Sequence, residues 1–162
     1  MLFRSNDTAT TEIYTVSDTL SLHDALLISV DTLRADHLPV YGYRGVETPH
    51  IDALRKDSIL FANAYTHVPL TLPSHVSLFT GLLPPQNGVR DNIGYVLDSR
   101  PETLASYLKR AGYETGGAVS CIVLSHNTGL NRGFDFYDDA VEPTETNQSL
   151  SRVQRDGGHS LF

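Results

Sequence analysis

The sequence predicts an α/β sandwich in which a mostly parallel sheet is flanked by helices. The first observation is a short run, Ala25–Val30, that is apolar on both faces and ends at the acidic residue Asp31, as expected of a buried parallel strand. The second is the alternation of such runs with amphipathic helical patterns, which is typical of this class. The third is size, because 162 residues with 40% hydrophobic content can form a substantial core.

The elements follow one another as strand, helix, strand, helix, helix and strand. Thr48 and Pro49 open the first helix, with Thr48 as the N-cap and Pro49 at the first helical position. The apolar stretch Ile59–Tyr65 predicts a second strand. A further helix is predicted to start at Pro73, and it ends at Gly81 because glycine tolerates the left-handed conformation of a helix C-terminus.

The second half of the chain continues the pattern. Turn-forming pairs such as Asn87-Gly88 mark a loop before the next regular element. The remaining predicted elements are the loop Leu82–Asn92, an amphipathic helix over Pro101–Arg110 and a strand over Tyr113–Leu124.

The two ends of the chain differ from this pattern. Residues 1–25 are rich in Ser, Thr and Asp without a steady period, and they resemble a translated sequencing adaptor, so we expect a disordered or artefactual leader. We expect residues 26–140 to form the N-terminal part of a larger domain. Residues 141–162 are a polar tail, which we expect to be the start of a C-terminal half that this chain lacks.

Composition narrows the class of partner. The net charge of −7 argues against nucleic acid, because there is no basic surplus to neutralise phosphates. An anionic small molecule would need local positive charge from metal ions or a few arginines. The single cysteine, Cys121, excludes an internal disulfide, and no apolar run is as long as a membrane span.

Two residues carry the strongest chemical signal. Asp31 ends a predicted buried strand, where a carboxylate suits a divalent cation, although an isolated aspartate there is more often a cap or turn residue. Thr71 lies just before a predicted helix start, where backbone N–H groups favour an anion. A free hydroxyl is a weak nucleophile, so activation by a metal is the better route for Thr71, with a plain N-cap role as the alternative.

Three further polar residues are candidates for contacts with a substrate. The amide of Asn92 could donate hydrogen bonds to a transferring phosphoryl or sulfuryl oxygen, and Arg90 and His75 could contact an anion. For each of them the ordinary alternative is a structural role in a turn or a helix. The other histidines show no metal-type spacing and receive no role.

In combination, these motifs resemble the sulfatase family of the alkaline-phosphatase-like superfamily, over roughly residues 26–139. The segments that carry the resemblance are Ile28–Leu38, Tyr41–Tyr43 with Thr48–Leu54, Pro69–Gly81, Gly88–Asn92 and, more weakly, Gly129–Asp135.

The resemblance implies a metal-dependent hydrolase of small sulfate or phosphate esters. It implies Thr71 as nucleophile, Asn92 as a second catalytic residue, His75 and Arg90 as substrate contacts, and Asp31 with Thr71 as ligands of a divalent ion (Ca, Zn, Mn or Mg). The chain departs from the family at two of these positions. Typical sulfatases have Cys or Ser as the precursor of formylglycine, followed by a Pro-Ser-Arg signature, whereas this chain has Thr71 and His75. Threonine cannot form formylglycine, so the site is similar to the threonine-nucleophile phosphodiesterases of the superfamily.

Two other functions remain open. One is a transferase of the same superfamily that moves a phospho-headgroup to a membrane sugar. The other is a chain that binds an anion without turnover, because the resemblance places the remaining metal ligands in a C-terminal region. For that reason we expect the 162-residue chain to be inactive alone.

Overall fold

The computed structural model describes residues 2–5 and 24–140, and it divides the chain into two compact units. The smaller unit is Ser29–Thr66, and the larger unit contains the described residues up to Ile28 and from His67 onward. The helices are α1 (Pro49–Lys56), α2 (Thr71–Thr80), α3 (Pro84–Asn87) and α4 (Leu104–Arg110), and the strands are β1 (Leu2–Ser5), β2 (Ala25–Leu26), β3 (Tyr113–Ala118) and β4 (Phe136–Asp138).

The larger unit contains a four-stranded sheet in the order β2-β1-β3-β4. Strands β3 and β4 run parallel, with Gly116 opposite Phe136 and Ala118 opposite Asp138. Strand β1 is antiparallel to both β2 and β3. A parallel pair with α4 packed against β3 agrees with the predicted α/β class, and the antiparallel pairings are an addition to the sequence prediction.

The hydrophobic core of the larger unit forms around α2. The fully buried side chains of Leu72, Val76 and Phe79 point from this helix into the core. Apolar residues of α4 and of the segments after α3 and β3 complete it, namely Val89, Leu97, Ala105, Val119, Cys121, Val123, Leu124 and Leu130. Removing this surface from water stabilises the fold by about 25 cal/mol for each Å² buried.

Thr103 fixes the start of α4. Its Oγ1 accepts the backbone N–H of Ser106 at 3.1 Å and donates to the carbonyl oxygen of Arg132 at 2.8 Å. The side chain is 1% exposed, so both bonds lie away from water. The helix therefore begins at Leu104, later than the predicted start at Pro101, because Thr103 caps it.

The predicted strand Ala25–Val30 is wrong in length, direction and burial. Strand β2 covers only Ala25–Leu26, pairs antiparallel with β1 and lies at the edge of the sheet. Ile28 and Val30 are 72% and 59% exposed. An apolar run is buried only where neighbouring elements cover both of its faces, and no described strand pairs with residues 27–30.

The second predicted strand, Ile59–Tyr65, is also wrong. These residues form no regular strand, and Ile59, Phe61 and Tyr65 are 84%, 70% and 85% exposed. The carbonyl oxygen of Phe61 instead accepts a hydrogen bond from the Tyr41 hydroxyl at 3.0 Å within the same unit. The segment thus makes a loop contact where the apolar pattern predicted a sheet.

Other boundaries differ by a few residues. Helix α1 begins at Pro49 after Thr48, as predicted, although the Thr48 side chain makes no capping hydrogen bond. Helix α2 begins at Thr71 and not at Pro73, while Gly81 ends it as predicted, with a φ of +67°.

Two predicted segments contain different local structure. The predicted loop Leu82–Asn92 contains the short helix α3. The predicted strand over Tyr113–Leu124 ends at Ala118, and a 3-10 turn over Ile122–Leu124 follows.

The ends of the chain are described in part. Leu2–Ser5 pair with β2 and β3, so these residues differ from the expectation of a leader without structure. Residues 6–23 and the tail 141–162 lie outside the described residues. Among the described residues, no helix has the length and apolar character needed to cross a membrane.

Candidate active site

Thr71 is the first residue of α2. Leu70 before it is extended, with φ −132° and ψ 138°, and the first bond of the helix runs from the Ser74 N–H to the Leu70 carbonyl at 3.0 Å. Leu72 and Pro73 are buried while Thr71 is half-buried, so the helix is anchored by the two residues that follow the hydroxyl. The positive end of the helix dipole lies at this terminus, which favours an anion there.

Asn92 is joined to the same helix terminus. The backbone N–H of Leu72 donates to Asn92 Oδ1 at 2.9 Å, so the side chain satisfies one of the open N–H groups of α2. Because an N–H must meet an acceptor, the bond fixes which amide atom is Oδ1 and leaves Nδ2 as the donor side of Asn92. The structure therefore brings Asn92 next to Thr71.

His75 lies one helical turn after Thr71. Its Nδ1 is 2.7 Å from the Thr71 carbonyl oxygen, and the Ser74 hydroxyl donates to the same oxygen at 3.0 Å. A carbonyl oxygen only accepts, so Nδ1 carries the hydrogen. His75 is 8% exposed and lies on the buried face of α2, where its Nδ1 contacts the backbone of Thr71.

A buried asparagine shapes the loop that leads to Asn92. Asn87 is 3% exposed, and its Nδ2 donates to the Leu82 carbonyl at 2.8 Å while its Oδ1 accepts the Val89 N–H at 2.9 Å. Gly88 follows with φ +83°, a conformation that glycine adopts without strain. The sequence predicts a turn at Asn87-Gly88, but it does not show that Asn87 is buried or that its side chain makes these two hydrogen bonds.

Arg90 and Asp91 lie between the turn at Asn87-Gly88 and Asn92. Arg90 is exposed, and the Asn92 N–H donates to Asp91 Oδ1 at 2.6 Å. The geometry thus places Arg90, Asn92, Thr71 and His75 in the larger unit, with Asn92 and His75 bonded to the first turn of α2.

Asp31 belongs to the smaller unit, Ser29–Thr66. It is half-buried in a turn, and Thr32 beside it has φ +57°, an unusual conformation for a β-branched residue. Strained backbone of this kind often accompanies functional residues.

In the same unit, Arg34 forms an exposed ion pair with Asp36 at 2.5 Å. The hydrogen bond from Arg34 lowers the pKa of the Asp36 carboxyl group.

Metal ligands are sparse in the part of the chain that the structure describes. No three His, Cys, Asp or Glu side chains there are grouped so that they could hold an ion. The carboxylate of Asp31 and the hydroxyl of Thr71 are each an oxygen donor of the kind that a hard divalent cation takes, and such an ion takes roughly six donors.

A second polar pair, which sequence reasoning missed, lies after β3 and β4. Both Nδ1 and the backbone N–H of His126 donate to Asp139 Oδ2, at 2.7 and 2.6 Å. Burial pushes the pKa of Asp139 up, but the hydrogen bonds and charge of His126 outweigh it and hold that pKa below its usual value. The pKa of the nearby Tyr137 hydroxyl is raised mainly by burial, and the charge of Asp139 raises it further.

The chain is similar to known sulfatases in sequence and in structure. A delta 4,5-hexuronate-2-O-sulfatase of Bacteroides thetaiotaomicron is 34% identical over 73% of this chain, and the human N-acetylgalactosamine-6-sulfatase is 34% identical over 68% of it. The solved structure of a 2-O GAG sulfatase matches 68% of this chain with a TM-score of 0.55 and 29% identity. The chain spans 24% of the length of each of these proteins.

The structural match confirms the predicted fold class, an alkaline-phosphatase-like α/β sandwich. The sequence model of the sulfatase family covers residues 23–158, which include α2 with Thr71 and the loop with Asn92. The resemblance seen in the sequence motifs is thereby confirmed, and the chain belongs to the sulfatase family.

Proposed function

We propose that this chain is the N-terminal part of a metal-dependent hydrolase of small sulfate or phosphate esters, with Thr71 as its nucleophile. Membership of the sulfatase family supports ester hydrolysis. The single observation that carries the residue assignment is the hydrogen bond from the Leu72 N–H to Asn92 Oδ1. It joins a hydroxyl nucleophile and an amide donor at one helix N-terminus.

In this proposal the Thr71 hydroxyl attacks the sulfur or phosphorus atom of the ester. The Thr71 hydroxyl gives its proton to solvent as a bond forms between Thr71 Oγ1 and that atom. The bond to the ester oxygen breaks, and that oxygen takes a proton from solvent and leaves as the alcohol. Negative charge on the remaining oxygens is stabilised by the Asn92 Nδ2 hydrogens and by the helix terminus, a type of contribution worth several kcal/mol. Water then cleaves the intermediate. This releases sulfate, phosphate or, from a phosphodiester, a phosphate monoester, and it restores the Thr71 hydroxyl.

Charged and positioning groups complete the proposed site. Exposed Arg90 lies on the loop to Asn92 and can meet the anionic ester from solvent, which matters for a chain of net charge −7. His75 was expected to contact substrate, and its bond to the Thr71 carbonyl supports a role in holding the nucleophile.

Asp31 and Thr71 are the residues of this chain that we assign to a divalent ion. When bound, such an ion lowers the pKa of a coordinated hydroxyl and neutralises charge on ester oxygens. The threonine at this position supports phosphate esters as substrates beside sulfate esters, because formylglycine cannot form from it.

The test compares the 162-residue chain with the protein expressed from its whole gene, on an aryl sulfate and an aryl phosphodiester. We expect hydrolysis by the longer protein, its loss with a strong chelator and its return with a divalent cation. Thr71→Ala should abolish turnover, while Thr71→Ser, which keeps the hydroxyl, should retain part of it. The 162-residue chain should be inactive. Chelator-resistant hydrolysis that Thr71→Ala leaves unchanged would contradict both the nucleophile and the metal.

A further inference from the structure

Asn87 and Asn92 attach one loop to helix α2 at two places. In the second half of the helix, the Ser77 hydroxyl oxygen accepts a long hydrogen bond of 3.4 Å from Asn87 Nδ2. At its start, the Leu72 N–H donates to Asn92 Oδ1 at 2.9 Å. The later loop residue meets the earlier helix residue, so residues 88–92 run back along α2 toward Thr71.

Two shorter hydrogen bonds fix the orientation of the Asn87 amide. Nδ2 donates to the Leu82 carbonyl at 2.8 Å, and Oδ1 accepts the Val89 N–H at 2.9 Å. Because a carbonyl only accepts and an N–H only donates, the amide satisfies both partners in one orientation only. At 3% exposure, water is a poor substitute for these bonds if the amide is removed.

The residue held by Asn87 Oδ1 is itself an anchor of the loop. Val89 is fully buried in the same core as Leu72 of α2. Only two residues separate Val89 from Asn92. A displacement of Val89 is therefore carried over a short length of chain to the Asn92 side chain.

We propose that Asn87 is a positioning residue of this site, which holds the loop so that Asn92 caps α2 through Oδ1 and presents Nδ2 to the ester attacked by Thr71. The proposal rests on the proposed function, because Asn87 acts on kcat through the donor role of Asn92. The alternative is that Asn87 only stabilises the loop. Its loss would then lower stability and leave the kcat of the folded protein unchanged.

The first measurement follows the hydrogen bond that Asn87 is proposed to hold. In the 162-residue chain, the Leu72 amide should exchange up to roughly fivefold faster in Asn87→Ala, because the loss of a helix cap of ordinary strength corresponds to a factor of that size. The Tyr107 amide of α4, which donates to the Thr103 carbonyl at 2.9 Å, should be unaffected in the same NMR spectra. Unchanged exchange at Leu72, or an equal increase at Tyr107, would overturn the proposal and leave Thr71 untouched.

The second measurement asks whether Asn87 acts through Asn92. In the protein expressed from its whole gene, Asn87→Ala should lower kcat on an aryl phosphodiester on the order of 10-fold, as expected of a misplaced catalytic group. In an Asn92→Asp background the same substitution should lower kcat far less, because the amide donor that it displaces is already gone. Losses that multiply in the double variant, or an unchanged kcat in Asn87→Ala, would overturn the proposal.

Two further variants complete the test. Asn87→Asp keeps an oxygen for the Val89 N–H, and a buried carboxyl group favours its protonated form, whose O–H can donate to the Leu82 carbonyl. It should retain more kcat than Asn87→Ala, and it carries both measurements if the alanine variant does not fold. An aspartate variant with the lower kcat would contradict the proposal.

Asn127→Ala changes an exposed asparagine of the same unit that has no assigned role, so it should leave kcat and Leu72 exchange unchanged. Absence of ester hydrolysis by the unmodified protein would overturn the proposed function and the effect of Asn87 on kcat together. Exchange at Leu72 does not depend on turnover, so it separates a failure of the positioning role from a failure of the proposed function.

Discussion

The carbonyl oxygen of Thr71 accepts hydrogen bonds from two side chains of its own helix, Ser74 at 3.0 Å and His75 at 2.7 Å. These bonds hold the backbone that carries the proposed nucleophile. A nucleophile misplaced by about 1 Å can lose 10²-fold in rate, so groups that hold its backbone influence catalysis without contacting substrate. His75 fits this description because it is bonded through Nδ1 and buried.

The two nitrogens of His75 can be tested separately. His75→Asn supplies an amide donor at the Nδ1 position, whereas His75→Gln supplies one near the Nε2 position. If the Nδ1 bond to Thr71 matters, the Asn variant should retain most of its kcat and the Gln variant should lose on the order of 10-fold or more. Steady-state kinetics on correctly folded protein, checked by thermal unfolding, measures this. The reverse order, with a raised KM for the Asn variant, would instead favour contact with the substrate.

Some contacts at the proposed site stand in local sequence patterns, and other polar contacts of the fold do not. Thr71 and Asn92 stand in local patterns, a hydroxyl before an apolar helix and an amide in a polar loop, and the structure brings them together. The contact between His126 and Asp139 has no such pattern, because the pairing of β3 with β4 brings their loops together only in the folded chain. The hydrogen bonds of the buried Asn87 side chain could not be predicted either, because a turn motif does not show whether its asparagine is buried.

At the scale of elements, the start of α2 depends on a side chain from another loop. Leu70 provides no capping side chain, and Asn92 Oδ1 accepts the Leu72 N–H in its place. A lost cap of this kind costs about 1 kcal/mol of stability. Asn92 therefore combines two roles, helix cap through Oδ1 and proposed donor through Nδ2.

These two roles predict different outcomes for two substitutions. Asn92→Ala removes cap and donor, so we expect about 1 kcal/mol less stability together with the loss of activity. Asn92→Asp keeps an oxygen acceptor at the helix terminus, so stability should be maintained, while kcat falls on the order of 10²-fold because the donor is gone. Chemical denaturation and kcat measured on the same preparations separate the two. An active Asn92→Asp variant would contradict the donor role.

The elements that sequence predicted best are those fixed by local chemistry. Pro49 and Gly81 mark a helix start and a helix end where expected, because the proline φ angle and the glycine left-handed conformation are local properties. The strands at Ala25–Val30 and Ile59–Tyr65 failed because strand formation needs a partner from elsewhere in the chain. An apolar pattern indicates that a segment could form a strand, but it does not show whether another strand lies beside it to form the hydrogen bonds.

At the scale of the whole molecule, the two units differ in burial. The larger unit has a core of fully buried side chains, whereas no residue in Ser29–Thr66 is fully buried. Local stability follows buried apolar contact, so the two units should open with different free energies. Asp31 lies in the less buried unit, and Thr71 lies in the more buried one.

This difference predicts the pattern of amide hydrogen exchange. Amides of α1 in the smaller unit should exchange much faster than those of α2, although both segments are helical. Hydrogen exchange followed by mass spectrometry of peptides from each helix measures this in the 162-residue chain. Equal protection of α1 and α2 would show that the smaller unit is covered in solution, for example by association of two chains.

The central claim is that Thr71 is a covalent nucleophile, and trapping the intermediate tests it most directly. The protein expressed from its whole gene is mixed with an aryl sulfate or aryl phosphodiester and a divalent cation, quenched in acid within one turnover and digested for peptide mass analysis. We predict the added sulfuryl or phosphoryl group on Thr71, its persistence in Thr71→Ser and its absence in Thr71→Ala. Turnover without any adduct at this position, or an adduct on another residue that survives Thr71→Ala, would contradict the account.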